Sequence, residues 1–253
     1  MKLLILAALV SVCAADKIVG GDEAAKDQFP FIVHLDSKTV QAFCDGSIID
    51  EYWIISAAHC YQSGNSNKAV AGDFYLQADD SSTDGSQNRL IEKFIKHGAY
   101  NSRTLENDIM LIRLVEPFTM GAFISPIALP TETPPAGTET DISGWGNTLS
   151  SGTNYPDELR FVTLPVLSRI TCNKPSSYNG EVLESMLCIG DMSGGQDSCQ
   201  GDSGGPVTLM NSNVLVGIVS WGYGCAQPNY PGIYTDVYHY VESGWITTTM
   251  NNN

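Results

Sequence analysis

Short apolar runs recur along the chain, separated by stretches rich in Gly, Pro, Asn and Ser. Many short runs bounded by turn-forming residues predict an all-β sandwich or barrel rather than a helical bundle. Phe31 to Leu35 reads as one strand; Phe43 to Ile49 and Trp53 to Ser56 read as two more, with Asp50-Glu51 in the turn between them. Asn107 to Leu114 opens on an acid and continues as an unbroken apolar run, the pattern of a buried strand. Pro126 to Gly137 is rich in Pro and Thr, which breaks regular structure and marks a linker between two halves. The second half resumes at Ile142 to Gly146, with further strands at Leu159 to Leu167 and Val207 to Leu209. Val214 to Val219 is the most apolar run and is expected to be central. After Tyr234 the period changes. Val237, Tyr240, Val241, Trp245 and Ile246 recur at helical spacing, which predicts a terminal helix over residues 237–250 packed on the body.

Composition adds class and compartment. A chain of 253 residues, 43% apolar and 16% charged, is ordinary for a globular protein and long enough for a sizeable core in one or two domains. Lys2, the apolar stretch Leu3 to Val12 and the small residues Ala14 and Ala15 read as a signal peptide over residues 1–15. No later run reaches the roughly 18 apolar residues that a membrane helix needs, so a secreted, soluble protein is expected. Of the seven cysteines, Cys13 would leave with that peptide, and an even number would remain in an oxidising compartment. Their spacing contains no C-x₂-C pair and so does not suit zinc. The net charge of −15 disfavours nucleic acid as a partner. It suits solubility, and it could also steer cationic substrates toward a negative cleft. There is no N-x-[ST] sequon, so N-glycosylation is not expected.

The stretch with the most chemistry is Asp197-Ser198-Cys199-Gln200-Gly201-Asp202-Ser203-Gly204-Gly205-Pro206. Glycines let the backbone turn tightly and let a ligand come close. A serine held among them presents its hydroxyl beside bare N–H groups, the donors an oxyanion requires. Serine is a weak nucleophile and needs a base, which needs an orienting acid in turn. Ser56-Ala57-Ala58-His59-Cys60 offers the base, and Asn107-Asp108-Ile109-Met110-Leu111 offers the acid. His34, His97 and His239 lack a comparable setting and read as non-catalytic.

These motifs, in the order His, Asp, Ser, resemble those of trypsin-like serine proteases of the chymotrypsin family. The resemblance covers nearly the whole chain from Ile18 onward. It implies two packed six-stranded antiparallel β-barrels, one over about residues 18–130 and one over about 131–236. By the same resemblance His59 is general base, Asp108 orients it, Ser203 is nucleophile, and the N–H groups of Gly201 and Ser203 form the oxyanion hole. Ser220 lies where the family places a further donor to the aspartate. The implied disulfides are Cys44–Cys60, Cys172–Cys188 and Cys199–Cys225. Asp197 falls at the floor of the specificity pocket, with Ser198, Ser220, Trp221, Gly222 and Gly232 around it, which implies cleavage after Lys or Arg.

The same resemblance makes Lys17-Ile18 an activation site after a two-residue activation peptide, 16–17. The new Ile18 ammonium would pair with Asp202. The segment before Lys17 lacks the acidic run of vertebrate digestive trypsinogens, which suggests an invertebrate digestive enzyme. No organic cofactor is implied. The expected partners are protein and peptide substrates and protein protease inhibitors, with no nucleic acid or membrane, acting on a monomer in the extracellular space or gut lumen. Asp73, Asp79, Asp80 and Asp84 lie in an acidic loop that could take calcium, although its spacing departs from the family's; a solvated loop without metal is the other reading. Asp45 also departs from the family, which keeps glycine there. It reads as a tolerated surface change, or as a charge near the leaving-group side of the substrate.

Overall fold

A computed structural model describes residues 18–64, 66–76 and 85–253. The proposed signal peptide, Lys17 and Asp79, Asp80 and Asp84 lie outside the described residues. The strands in chain order are β1 (Asp22–Glu23), β2 (Ile32–Asp36), β3 (Cys44–Asp50), β4 (Trp53–Ser56), β5 (Lys68–Ala71), β6 (Gln87–Lys96) and β7 (Met110–Leu114) in the first half. The second half has β8 (Glu139–Gly144), β9 (Arg160–Leu167), β10 (Met186–Ile189), β11 (Pro206–Leu209), β12 (Leu215–Trp221) and β13 (Gly232–Asp236). The helices are α1 (Arg169–Cys172), α2 (Val237–Glu242) and α3 (Trp245–Asn251).

Strands β2-β3-β4-β7-β6-β5 close into one antiparallel barrel. Strands β9-β10-β13-β12-β11-β8 close into a second through the β8–β9 pairing, with β1 added against β9. Closure leaves no long unpaired edges. Side chains that alternate inward fill each barrel. In β9, Arg160, Val162, Leu164 and Val166 are buried while the residues between them are only partly so. The barrels are joined by hydrogen bonds that cross between them. Trp145 Nε1 donates to the Phe74 carbonyl at 3.2 Å, and the Leu159 N–H donates to the same carbonyl at 3.0 Å.

Two expectations change. The terminal segment is two helices, because Gly244 adopts a left-handed φ of 73° between them. Helical spacing continues across that break, so periodicity alone reads one helix. The strand behind Asp108 begins only at Met110, because Asn107 has a φ of 56° and turns the chain just before the acid.

His34, on β2, is buried with both ring nitrogens engaged, Nδ1 with Asp36 at 2.9 Å and Nε2 with Asp73 at 3.0 Å. Burial alone would lower its pKa, but the two carboxylates outweigh it and raise the value to about 9. A raised histidine pKa stabilises the fold fully below its unfolded value, about 6.5, and that contribution is lost as pH rises through about 9. The thermal unfolding midpoint should therefore fall between those values. A His34→Gln variant should be less stable at pH 6 and lose less over the same interval. A parent midpoint that is flat from pH 6.5 to 9 would contradict this assignment. The pairing also commits Asp73, so the described part of the acidic loop offers no free carboxylate to calcium.

Candidate active site

The site forms where loops of the two barrels meet. His59 lies in a single 3-10 turn, Ala58–Cys60, directly after β4. The Cys44–Cys60 disulfide, with a Cα–Cα distance of 6.1 Å, ties that turn to β3. Asp108 is buried, and its carboxylate accepts three hydrogen bonds. Oδ1 takes the His59 backbone N–H at 2.9 Å, while Oδ2 meets His59 Nδ1 at 2.7 Å and takes the Ser220 hydroxyl at 2.6 Å. The Thr235 hydroxyl donates to the Asp108 carbonyl at 2.7 Å. The acid is thus fixed from both barrels, because Ser220 and Thr235 belong to β12 and β13. A carboxylate on Nδ1 leaves Nε2 as the ring's free nitrogen.

Ser203 sits in the glycine-rich loop. Gly201 has a φ of 106° and Gly204 a φ of 80°, and a Cβ on Gly204 would overlap Ser56 Oγ. The loop's own N–H groups divide sharply. Those of Asp202, Gly204 and Gly205 donate to the Cys199, Val219 and Asp202 carbonyls at 3.1, 2.9 and 2.9 Å. The N–H groups of Gly201 and Ser203 make no hydrogen bond among the described residues, so both can serve a ligand. Among the described residues no hydrogen bond joins His59 to Ser203; in catalytic pairs of this kind that contact often closes only in the complex with substrate.

A cavity of about 210 Å³ opens beside Ser203, lined by Asp197, Ser198, Ser220, Trp221, Gly222 and Gly232 among others. Asp197 is buried at its base. Its Oδ2 takes the Ala226 N–H at 2.9 Å, and Ser198 Oγ and the Tyr234 hydroxyl share a hydrogen bond of 2.9 Å beside it. Burial pushes the Asp197 carboxyl up to about 7, against the lowering effect of the Ala226 and Ser198 N–H groups. The two wall glycines differ. A Cβ on Gly232 would stand 2.5 Å from the Tyr234 hydroxyl and 2.8 Å from Asp197 Oδ1, so only glycine fits. A Cβ on Gly222 would make only ordinary contacts, the nearest with the Gly224 carbonyl at 3.5 Å. The Cys199–Cys225 bridge ties the serine loop to this wall, and Cys172–Cys188 fastens α1 to β10.

Asp202 is fully buried and accepts the Gly146 N–H at 2.7 Å and the Cys199 N–H at 2.8 Å; burial raises its carboxyl to about 6. Ile18 is also fully buried, in the cluster that includes Ile142 and Val162. Asp45 overturns the expectation of a surface change. It is on β3 directly opposite His34, its side chain is wholly buried, and it faces Asp202 rather than solvent. Sequence reasoning missed Ala226, Tyr234 and Thr235, which hold the acids from distant strands with no local motif of their own.

A buried acid on a histidine, beside a serine on a glycine loop at the junction of two β-barrels, defines the chymotrypsin-like class of serine hydrolases. Residues 18–246 match the family model described as Trypsin. The chain is 48% identical to "Trypsin I-P1" of Gallus gallus and 46% identical to "Trypsin" of Xenopus laevis, in both cases over all of each chain. It is 46% identical to "Serine protease 1" of Rattus norvegicus, again over all of each chain. The chain belongs to the trypsin family of serine proteases and is a hydrolase.

Proposed function

We propose that the protein is a secreted digestive endopeptidase that cleaves after Lys or Arg and is made as a zymogen opened behind Lys17. The observation that carries this reading is the pairing of Asp108 with His59 beside a cavity that holds both Ser203 and the buried Asp197. His59 takes the Ser203 proton as the hydroxyl attacks the substrate carbonyl. Asp108 holds the ring's tautomer and stabilises the imidazolium, and the N–H groups of Gly201 and Ser203 receive the oxyanion. His59 then returns the proton to the leaving amine, and water resolves the acyl-enzyme by the same steps in reverse. No residue in this sequence of steps calls for an organic cofactor.

The disulfides and the Lys2–Ala15 segment support secretion, and similarity along the whole chain to proteins named trypsin supports the digestive reading. Protein substrates and protein inhibitors would meet the same cleft. A serine-directed organophosphate tests the catalytic assignment. One equivalent should attach to Ser203 and abolish hydrolysis of an arginyl amide. Attachment elsewhere, or full activity after labelling, would overturn it. Lys17 is itself a residue this specificity would cut after, so self-activation is expected. A Ser203→Ala proenzyme purified alone should keep the Lys17–Ile18 bond intact by mass spectrometry, and maturation at the parent's rate would rule self-activation out.

A further inference from the structure

Asp45 lies under the nucleophile loop and is bonded into it. Its N–H donates to the Ser203 carbonyl at 2.8 Å, and its own carbonyl accepts the Ser56 hydroxyl at 2.7 Å. Its side chain is wholly buried, and neither carboxyl oxygen has a hydrogen-bond partner among the described residues. The Trp145 N–H faces it without closing a well-formed bond. A buried polar group left in this state is costly unless a partner arrives.

Gly144 shows how closely the Asp45 carboxyl approaches that of Asp202. A Cβ on Gly144 would stand 3.0 Å from Asp45 Oδ2 and would overlap Asp202 Oδ1, so the two acids converge on one small space. The neighbouring charged side chains make their bonds elsewhere, although the His34 charge still acts on Asp45 and lowers its carboxyl. His34, opposite Asp45, gives both ring nitrogens to Asp36 and Asp73. Arg160, opposite Gly144, directs its guanidinium toward Glu23 and Glu158 at 3.8 and 3.7 Å. The buried Ile18 shares a cluster with Ile142, two positions before Gly144 on β8.

We propose that Asp45 is the second acid of this pocket: once the chain is cut behind Lys17, Asp45 and Asp202 together receive the α-ammonium of Ile18, and Asp45 positions the Ser203 loop. This rests on the zymogen reading given above. In the uncut chain, burial and the Asp202 charge raise the Asp45 carboxyl well above the ordinary range, against the lowering effect of His34 and the Trp145 N–H. Arrival of the ammonium favours the ionised form, and the proton leaves to solvent. An ammonium held by two carboxylates keeps its own proton to higher pH than one held by a single carboxylate. When that proton is finally lost, two buried acids are left uncompensated beneath Ser203.

The test uses the cut enzyme, with the Ile18 terminus verified by mass spectrometry, and compares the parent with Asp45→Asn and Asp45→Gly. The readout is kcat/KM on an arginyl amide from about pH 6 to pH 11. In both variants the alkaline midpoint should fall by about one pH unit, which grows to about a ten-fold loss relative to the parent well above the parent's midpoint. The acid limb should stay in place, which distinguishes this role from a general weakening of the fold. Alkaline midpoints equal to the parent's in both variants would overturn the proposal while leaving the zymogen reading intact. An uncut chain as active as the cut one would remove the zymogen reading, and the proposal with it.

Discussion

Replacing Asp197 with serine should lower kcat/KM on an arginyl amide by roughly 10⁴-fold while leaving a phenylalanyl amide within about ten-fold of its parent value. The size follows from where the acid sits. Asp197 is buried at the base of the cavity beside Ser203, where it accepts the Ala226 N–H, and its carboxyl is already raised to about 7 by burial. A guanidinium or ammonium entering the slot would meet a poorly compensated carboxylate, so the pairing strengthens binding well beyond an exposed ion pair. With serine in its place, the incoming cation would be desolvated with no counter-charge. The same reasoning sets a pH dependence. A carboxyl with a raised pKa is protonated as pH falls below about 7, so the parent's preference for arginyl over phenylalanyl substrate should shrink below that value. A panel of arginyl, phenylalanyl and leucyl amides, assayed on parent and variant, reads both effects. An Asp197→Ser enzyme that still favours the arginyl substrate would place the specificity acid elsewhere.

Asp108→Asn should be nearly as damaging, but to turnover rather than preference. Its Oδ2 meets His59 Nδ1 at 2.7 Å and takes the Ser220 hydroxyl at 2.6 Å, while Oδ1 takes the His59 N–H at 2.9 Å. An asparagine amide can keep part of this network only by presenting its NH₂ to the ring, which forces the wrong tautomer and puts the proton on the nitrogen that should act as base. In chymotrypsin-family triads the equivalent change costs about 10⁴ in kcat, and that established magnitude is the expected one here. The ratio of arginyl to phenylalanyl rates should not change, because Asp108 does not line the cavity that holds Asp197. A loss confined to KM would show that Asp108 is merely structural.

The motifs proposed as catalytic stand out in the sequence because each is short and local. The serine is announced by the glycines around it, and the histidine by its small neighbours and adjacent cysteine. The strands that alternate or run continuously apolar were legible for the same reason, as at β2, β4 and β12. Strand β6 was not, because only Ile91 along it is buried and its charged residues interrupt the pattern. The break at Gly244 was hidden because a left-handed residue between two helices leaves the apolar spacing intact. Asp45 was misread for a register reason. The face of β3 that carries Asp45 is set by its pairing with His34 on the neighbouring strand β2, and that face is covered by Asp202 and Gly144 of the second half, which no local pattern specifies. His34 itself illustrates the limit: its two carboxylates come from positions 2 and 39 residues away.

The most direct test of the account is arginyl amide hydrolysis before and after limited proteolysis, with the amino terminus followed by mass spectrometry. The account predicts that activity appears only as Ile18 becomes the terminus, that it rises in proportion to that species, and that the phenylalanyl amide stays poorly cleaved throughout. A protein with a free Ile18 terminus that turns over neither substrate would contradict it.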